Sequence, residues 1–193
     1  MVNLRVIILS GAIGGGSLLF GALAPAHAET SITGQAHVID GDTFDIGEER
    51  IRLADIDAPE LGQSCQGPKE LRRCGKLAAE LLAQRIEGRE VVCIVHDIDD
   101  FERSVASCSL NDVDLSVLMV REGYALTFVK FSRRFVVDEA DARQRRAGLW
   151  RAEIEPPWVY RGKRWEVAAQ QAPAGCPIKG NISQDGERIY HVP

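Results

Sequence analysis

The chain has 193 residues, with 23 Lys and Arg against 28 Asp and Glu for a formal charge of −5, 45% hydrophobic residues and 6% aromatics. That composition is globular and excludes a collagen-like, low-complexity or wholly disordered protein. The acidic balance excludes a general phosphate-coating surface, so any contact with nucleic acid has to be local.

Residues 1–28 read as a secretory signal peptide. Arg5 precedes the apolar runs Val6-Ile7-Ile8-Leu9 and Leu18-Leu19-Phe20, and Ala26-His27-Ala28 supplies an A-x-A cleavage site. Gly11, Gly14, Gly15 and Gly16 interrupt the run, and no later segment approaches the ~20 apolar residues of a span. Export with cleavage is therefore expected over a retained anchor, with no stable membrane insertion afterwards.

From Gln35 onward, short β-rich runs at 36–39, 43–46 and 50–54 are separated by the turns Asp40-Gly41-Asp42 and Gly47-Glu48-Glu49, which predicts a three-stranded meander. Pro68 opens an amphipathic helix with Leu71, Cys74, Ala78, Leu81 and Leu82 on one face, stopped by Gly88. Strands at 90–95 and 104–110 follow. Asp114 caps a short helix that Gly123 closes, and a third helix covers about 137–147, ending at Gly148. Five short strands with an interposed helix fit an α+β, mainly β architecture: a five-stranded, partly open OB-fold barrel with three helices, although element order alone also describes other α+β folds. After Trp150 the texture changes to Pro156-Pro157-Trp158, a charged stretch and Ala172-Pro173-Ala174-Gly175, expected to be a wrap followed by a linker.

All five cysteines lie beyond residue 28, and an exported protein meets an oxidising compartment, so disulfides are the default. Among three pairings of the first four, local spacing favours Cys65–Cys74 and Cys93–Cys108, leaving Cys176 over. Zinc is disfavoured by the lack of a C-x-x-C and of a close His partner.

The window Asp40 to Glu60 holds eight acidic residues and two basic ones, Arg50 and Arg52. By spacing alone it fits either a hard-cation site or hairpin-turn chemistry. Glu48 and Glu49 suit a solvated turn. Asp42 and Asp57 suit it less, each lying at a strand end among apolar neighbours. Arg52, between Ile51 and Leu53, should face the side opposite those core residues.

Four motifs in order, Val38-Ile39-Asp40-Gly41-Asp42-Thr43, Arg52-Leu53, Ile56-Asp57-Ala58-Pro59-Glu60 and Asp99-Asp100-Phe101-Glu102-Arg103, resemble those of the staphylococcal-nuclease (thermonuclease) family. The similarity runs from about Gly34 to Trp150 and includes Gly123-Tyr124-Ala125 and Gly148-Leu149-Trp150. It implies an OB-fold endonuclease using one Ca²⁺ to hydrolyse DNA and RNA without sugar preference, leaving 3′-phosphate ends. Asp42 and Asp57 match the family's calcium carboxylates, and Ala58 the residue offering a backbone carbonyl. Arg52 and Arg103 match its phosphate-binding arginines, and Glu60 the carboxylate that positions or deprotonates the attacking water. Where the family usually has Gly on both sides of the second arginine, this chain has Glu102 and Ser104, and Asp100 stands where a basic residue often lies. These departures put negative charge near the incoming phosphate.

Phe101, Phe128 and Phe131 form either a base-stacking surface or ordinary packing. The tail Cys176-Pro177-Ile178-Lys179-Gly180-Asn181-Ile182-Ser183, with Gly186 to Pro193, is similar to the opening of a small module that follows this nuclease domain in some bacterial homologues. The reading is then a signal peptide (1–28), a nuclease-like domain (29–155) and a C-terminal extension (156–193) that is a truncated module. It describes a monomer, periplasmic or secreted, acting on DNA and RNA. The alternative is a catalytically weak or inactive OB-fold module of the cell envelope that binds nucleic acid or protein.

Overall fold

The computed structural model describes residues 30–171, 179–182 and 188–191. The signal-peptide reading, Cys176 and the linker at 172–175 lie outside the described residues.

Alternation of inward and outward side chains builds the sheet. Strand β1 (Ser31–Val38) begins four residues earlier than the meander pattern suggests, because Ser31 to Gln35 pair antiparallel with β5 (Glu90–Ile98) before Ala36 to Val38 turn to β2 (Thr43–Ile46). Gly34 sits at this changeover, where a Cβ would come within 2.6 Å of the Ile46 side chain. Strand β2 pairs with β3 (Glu49–Leu53) through the turn at Gly47, whose φ of +62° is the left-handed conformation that glycine adopts without cost. Strand β5 pairs with β6 (Ser104–Leu110), with a register shift between Val95 and Asp97 that adds local twist. Parallel pairing of β3 with β6 then closes the five strands into a barrel, as expected for the OB-type architecture.

The barrel core is filled by Phe44, Ile51, Leu53, Val91 and Ala106, each at most 1% exposed. Leu82 and Ile86 of helix α1 (Cys74–Ile86) and Leu115, Met119 and Val120 of helix α2 (Leu115–Arg121) complete it. The helix expected from Pro68 is interrupted: Lys69–Leu71 is a single 3-10 turn, because the Arg72 carbonyl accepts a hydrogen bond from the Cys65 N–H at 3.0 Å and α1 starts only at Cys74. Asp114 caps α2 as expected, its Oδ1 accepting from the Ser116 and Val117 N–H groups at 2.8 and 3.2 Å. The third expected helix is α3 (Val136–Gln144).

Three two-residue strands escape a pattern reading: β4 (Ile56–Asp57), which pairs with β8 (Leu126–Thr127), and β7 (Val113–Asp114), at the sheet edge. The charged stretch expected to be a wrap is a fourth helix, α4 (Pro157–Gln171). Strands β9 (Lys179–Ile182) and β10 (Arg188–His191) pair antiparallel in the tail.

Both favoured disulfides are present. Cys65–Cys74 ties the loop after β4 to the start of α1, and Cys93–Cys108 links directly opposed residues of β5 and β6. No helix among the described residues is long and apolar enough to cross a membrane.

Candidate active site

The turn between β1 and β2 carries Asp42. It is closed by the Ile39 and Asp40 N–H groups, which donate to the Thr43 carbonyl at 3.0 and 3.1 Å, and by the Asp40 side chain, which accepts from the Asp42 N–H at 3.0 Å. Gly41 allows the turn to press inward, since a Cβ there would lie 2.7 Å from the Cβ atoms of both Ala58 and Ala78. Asp42 Oδ2 accepts from the Ala58 N–H at 2.9 Å, and Oδ1 accepts from the Thr43 hydroxyl at 3.0 Å. The Asp42 turn and the Asp57-Ala58 segment are therefore one rigid unit.

Asp57 lies on β4 and is fully buried. On β3, Ile51 and Leu53 turn into the core while Arg52 faces the carboxylates, its Nη2 3.1 Å from Asp57 Oδ1 and its Nη1 3.6 Å from Asp42 Oδ1. The Asp42 charge raises the Arg52 pKa, overruling its burial.

Glu60 is held by a neighbour that a sequence pattern does not reveal. Its N–H donates to Gln63 Oε1 at 3.1 Å, and Gln63 Nε2 donates to the Glu155 carbonyl at 2.7 Å, so a glutamine that is 1% exposed fixes both the loop and the chain leading into α4. Helix α1 backs the same loop. A Cβ at Gly75 would stand only 1.7 Å from the Glu60 carbonyl oxygen, so the helix can lie against that backbone only without a side chain there.

The second residue missed is Arg161 of α4. Its Nη1 and Nη2 meet Asp57 Oδ1 and Oδ2 at 3.0 and 2.7 Å, a bidentate fork, and Nη1 also meets Glu60 Oε1 at 2.6 Å. Burial would lower the Arg161 pKa, but the Asp57 and Glu60 contacts raise it, whereas burial pushes Asp57 up against the pull of Arg161. No local signal marks this pair, because 104 residues separate its members.

Arg103 is committed elsewhere. Its Nε and Nη2 lie 2.7 and 2.6 Å from Asp99 Oδ2, while Asp99 Oδ1 accepts from the Phe101 and Arg103 N–H groups at 2.9 and 3.0 Å. Against its burial, these bonds hold the Asp99 carboxyl below its ordinary range. The Arg103 guanidinium also stands 5.3 Å from the centroid of the Phe101 ring.

Glu102, at a position where the resemblance expects Gly, retains the glycine-like backbone with φ of +60°. An L side chain in that conformation costs roughly 1–2 kcal/mol. Glu102→Gly is therefore expected to stabilise the protein by about 1 kcal/mol, less than the full relief because glycine also frees the unfolded chain. In a thermal melt the midpoint should rise by about 2–4 °C; a fall would show that the Glu102 side chain supports the loop.

Of the three candidate stacking residues, Phe128 and Phe131 meet edge-on at 4.8 Å, and Phe128 stacks on Trp158 of α4 at 5.5 Å with 12° between ring planes. Beside them is a cleft of about 500 Å³ lined by Phe128, Val129, Lys130, Trp158, Arg161, Gly162 and Trp165.

Among the described residues, no group of three or more His, Cys, Asp or Glu side chains is arranged to hold a metal ion. Asp42 and Asp57 do converge, both within reach of Arg52, and Asp40 beside them is pushed up to about 7 by burial and by the Asp42 charge. Asp42 and Asp57 are both buried and are hard-oxygen donors, the donor chemistry that a hard cation takes.

The family model for staphylococcal nuclease homologues matches residues 50–152. Succinoglycan biosynthesis protein ExoI of Rhizobium meliloti (strain 1021) is 34% identical over 134 residues, covering 67% of this chain and 70% of that protein. Micrococcal nuclease of Shigella flexneri is 28% identical over 142 residues, covering 64% of this chain and 76% of that one. Staphylococcal-like nuclease CAN1 of Arabidopsis thaliana is 31% identical over 115 residues, 58% of this chain but only 33% of the plant protein, so the chain spans a third of that relative's length. The five-stranded barrel, the motifs on its rim and a family match over more than half of the 193 residues agree, and the chain belongs to the family of staphylococcal nuclease homologues.

Proposed function

We propose that this chain is an exported Ca²⁺-dependent endonuclease that hydrolyses phosphodiester bonds of DNA and RNA, leaving 3′-phosphate ends. The observation that carries this reading is the convergence of Asp42, Asp57, Glu60 and Arg52 on one rim of the barrel. The family membership and the nuclease names of relatives support it.

The chemistry follows from where charge develops. Attack by water on a phosphodiester builds negative charge on the phosphoryl oxygens, which fixed positive groups must meet. Asp42, Asp57 and the Ala58 carbonyl would hold Ca²⁺, which when bound supplies a hard positive charge to a phosphoryl oxygen. Arg52 carries a planar guanidinium whose Nη groups rest on Asp57 and Asp42, and once it turns from them it acts as a fork for two phosphate oxygens, a geometry that Lys lacks. Glu60 orients the attacking water and accepts its proton as the new P–O bond forms; the P–O5′ bond breaks, and the leaving 5′-oxygen takes a proton from solvent. Arg103 acts as the second phosphate fork once it turns from Asp99. The Phe128, Phe131 and Trp158 rings, beside Lys130, offer a face on which bases of the substrate strand stack. Export suits the two disulfides, which persist in oxidising compartments.

The Asp99–Arg103 pair favours a second reading, a nucleic-acid-binding module with little turnover. Digestion of plasmid and of RNA by residues 29–193, with Ca²⁺ and then with chelator, separates the two. Cutting of both polymers that chelator abolishes is expected; binding to either polymer without cutting in excess Ca²⁺ would establish the second reading.

A further inference from the structure

Asp57 has about four lone-pair positions on its two oxygens. Arg52 uses one on Oδ1, and the Arg161 fork uses one on Oδ1 and one on Oδ2. Glu60 Oε1 also faces Arg161. One guanidinium therefore engages two carboxylates with different assignments, a cation ligand and the group that handles the attacking water. A hard cation approaches carboxylate oxygens to about 2.3–2.6 Å, and at that distance from Asp57 it would stand close to the Arg161 guanidinium, so the two positive charges repel and compete for the same carboxylate.

The helix that delivers Arg161 lies largely at the surface. Its Pro157 is buried and its Trp158 stacks on Phe128, while Gly162 to Ala168 are exposed. The Tyr160 hydroxyl reaches the Gly62 carbonyl at 3.4 Å, and Lys163 pairs with Glu155 at the surface. Among these attachments the Arg161 fork is the one that reaches a fully buried carboxylate. The matched family region ends at residue 152, before α4 begins.

We infer that Arg161 is an internal counter-cation of the active site: it neutralises Asp57 and Glu60 while no metal is bound, and a divalent cation binds only as Arg161 leaves, loosening α4. The inference rests on the cation reading of Asp42 and Asp57 proposed above. Its consequence is gating, since Glu60 is released to act on water by the same event that admits the cation. Linkage makes the effect reciprocal: the factor by which the cation weakens the attachment of Arg161 is the factor by which that attachment weakens cation binding.

Two measurements on residues 29–193 test it. Calorimetric titration with Ca²⁺ compares the parent with Arg161→Ala and Arg161→Lys, and with Val167→Ala, an exposed apolar position of the same helix, as a control. Arg161→Ala is expected to bind Ca²⁺ about tenfold more tightly, a typical coupling. Arg161→Lys, which keeps the charge but loses the fork, should fall between them, and Val167→Ala should match the parent. Hydrogen exchange on the parent alone should show faster exchange over 157–171 when Ca²⁺ is added, a readout that no variant's folding can compromise. Equal Ca²⁺ affinities, weaker binding by Arg161→Ala, or unchanged or slower exchange over 157–171 would each overturn the gating while leaving the cation site standing. Absence of Ca²⁺ binding by both parent and Arg161→Ala would overturn the cation reading and the gating together.

Discussion

Glu60→Gln is expected to lower the rate of phosphodiester cleavage by about 10²–10⁴-fold, the usual contribution of a positioned general base, with the fold and Ca²⁺ binding retained. Three features make the substitution clean. The Glu60 backbone is held by Gln63 and by the close approach of Gly75, neither of which depends on the side-chain charge. The amide has nearly the shape of the carboxylate. The lost pair with Arg161 involves a side chain 32% exposed, so its contribution to stability is small. Single-turnover cleavage of a defined oligonucleotide, set beside a Ca²⁺ titration, is the measurement. A fall of less than tenfold would remove Glu60 from the role of base and leave it as a partner of Arg161 alone.

Asp57→Asn has the largest expected effect on the molecule as a whole. Asp57 is fully buried and faces two guanidinium groups, Arg52 and Arg161. An asparagine keeps the shape but leaves both cations short of a counter-charge, and breaking a buried pair from one side costs about 3 kcal/mol or more. The melting midpoint of the metal-free protein should fall by roughly 10 °C. Calorimetry should find Ca²⁺ binding lost, because one of the two side-chain carboxylates proposed to hold the cation is gone. A midpoint within 2 °C of the parent would mean, by the same conversion, that Asp42 and Glu60 take over the neutralisation of both arginines, against the central place assigned to Asp57.

What could be read in advance divides by the range of the interactions concerned. Strand β6 and the Asp114 cap were legible because each depends on neighbours a few residues away: period-two alternation for one, an acceptor two and three residues before free N–H groups for the other. The two disulfides were legible because their partners are only 9 and 15 residues apart. The early start of β1 was not, since Ser31, Thr33 and Gln35 look polar in isolation and become strand only because β5 lies alongside. Nor was the break between Leu71 and Cys74, where a single hydrogen bond from Cys65 competes with helix propagation. No local signal marks Gln63, whose role depends on Glu60 and Glu155 approaching from two sides.

By itself the sequence, through the resemblance its motifs carry, pointed to the barrel and the family, and it nominated Asp42, Arg52, Asp57 and Glu60 as candidate site residues. Asp42 with Thr43, Arg52, and Asp57 through Glu60 fall within a window of short strands and tight turns, and such segments have few ways to fold. The tertiary structure decided which charges meet. Arg103, singled out with Arg52 by its motif, turns to Asp99, while Arg161, in a stretch that looked only charged, takes both oxygens of Asp57. A guanidinium has no preferred partner in sequence. Its attraction grows as separation and local dielectric fall, so the choice belongs to whichever desolvated carboxylate the fold brings within about 3 Å.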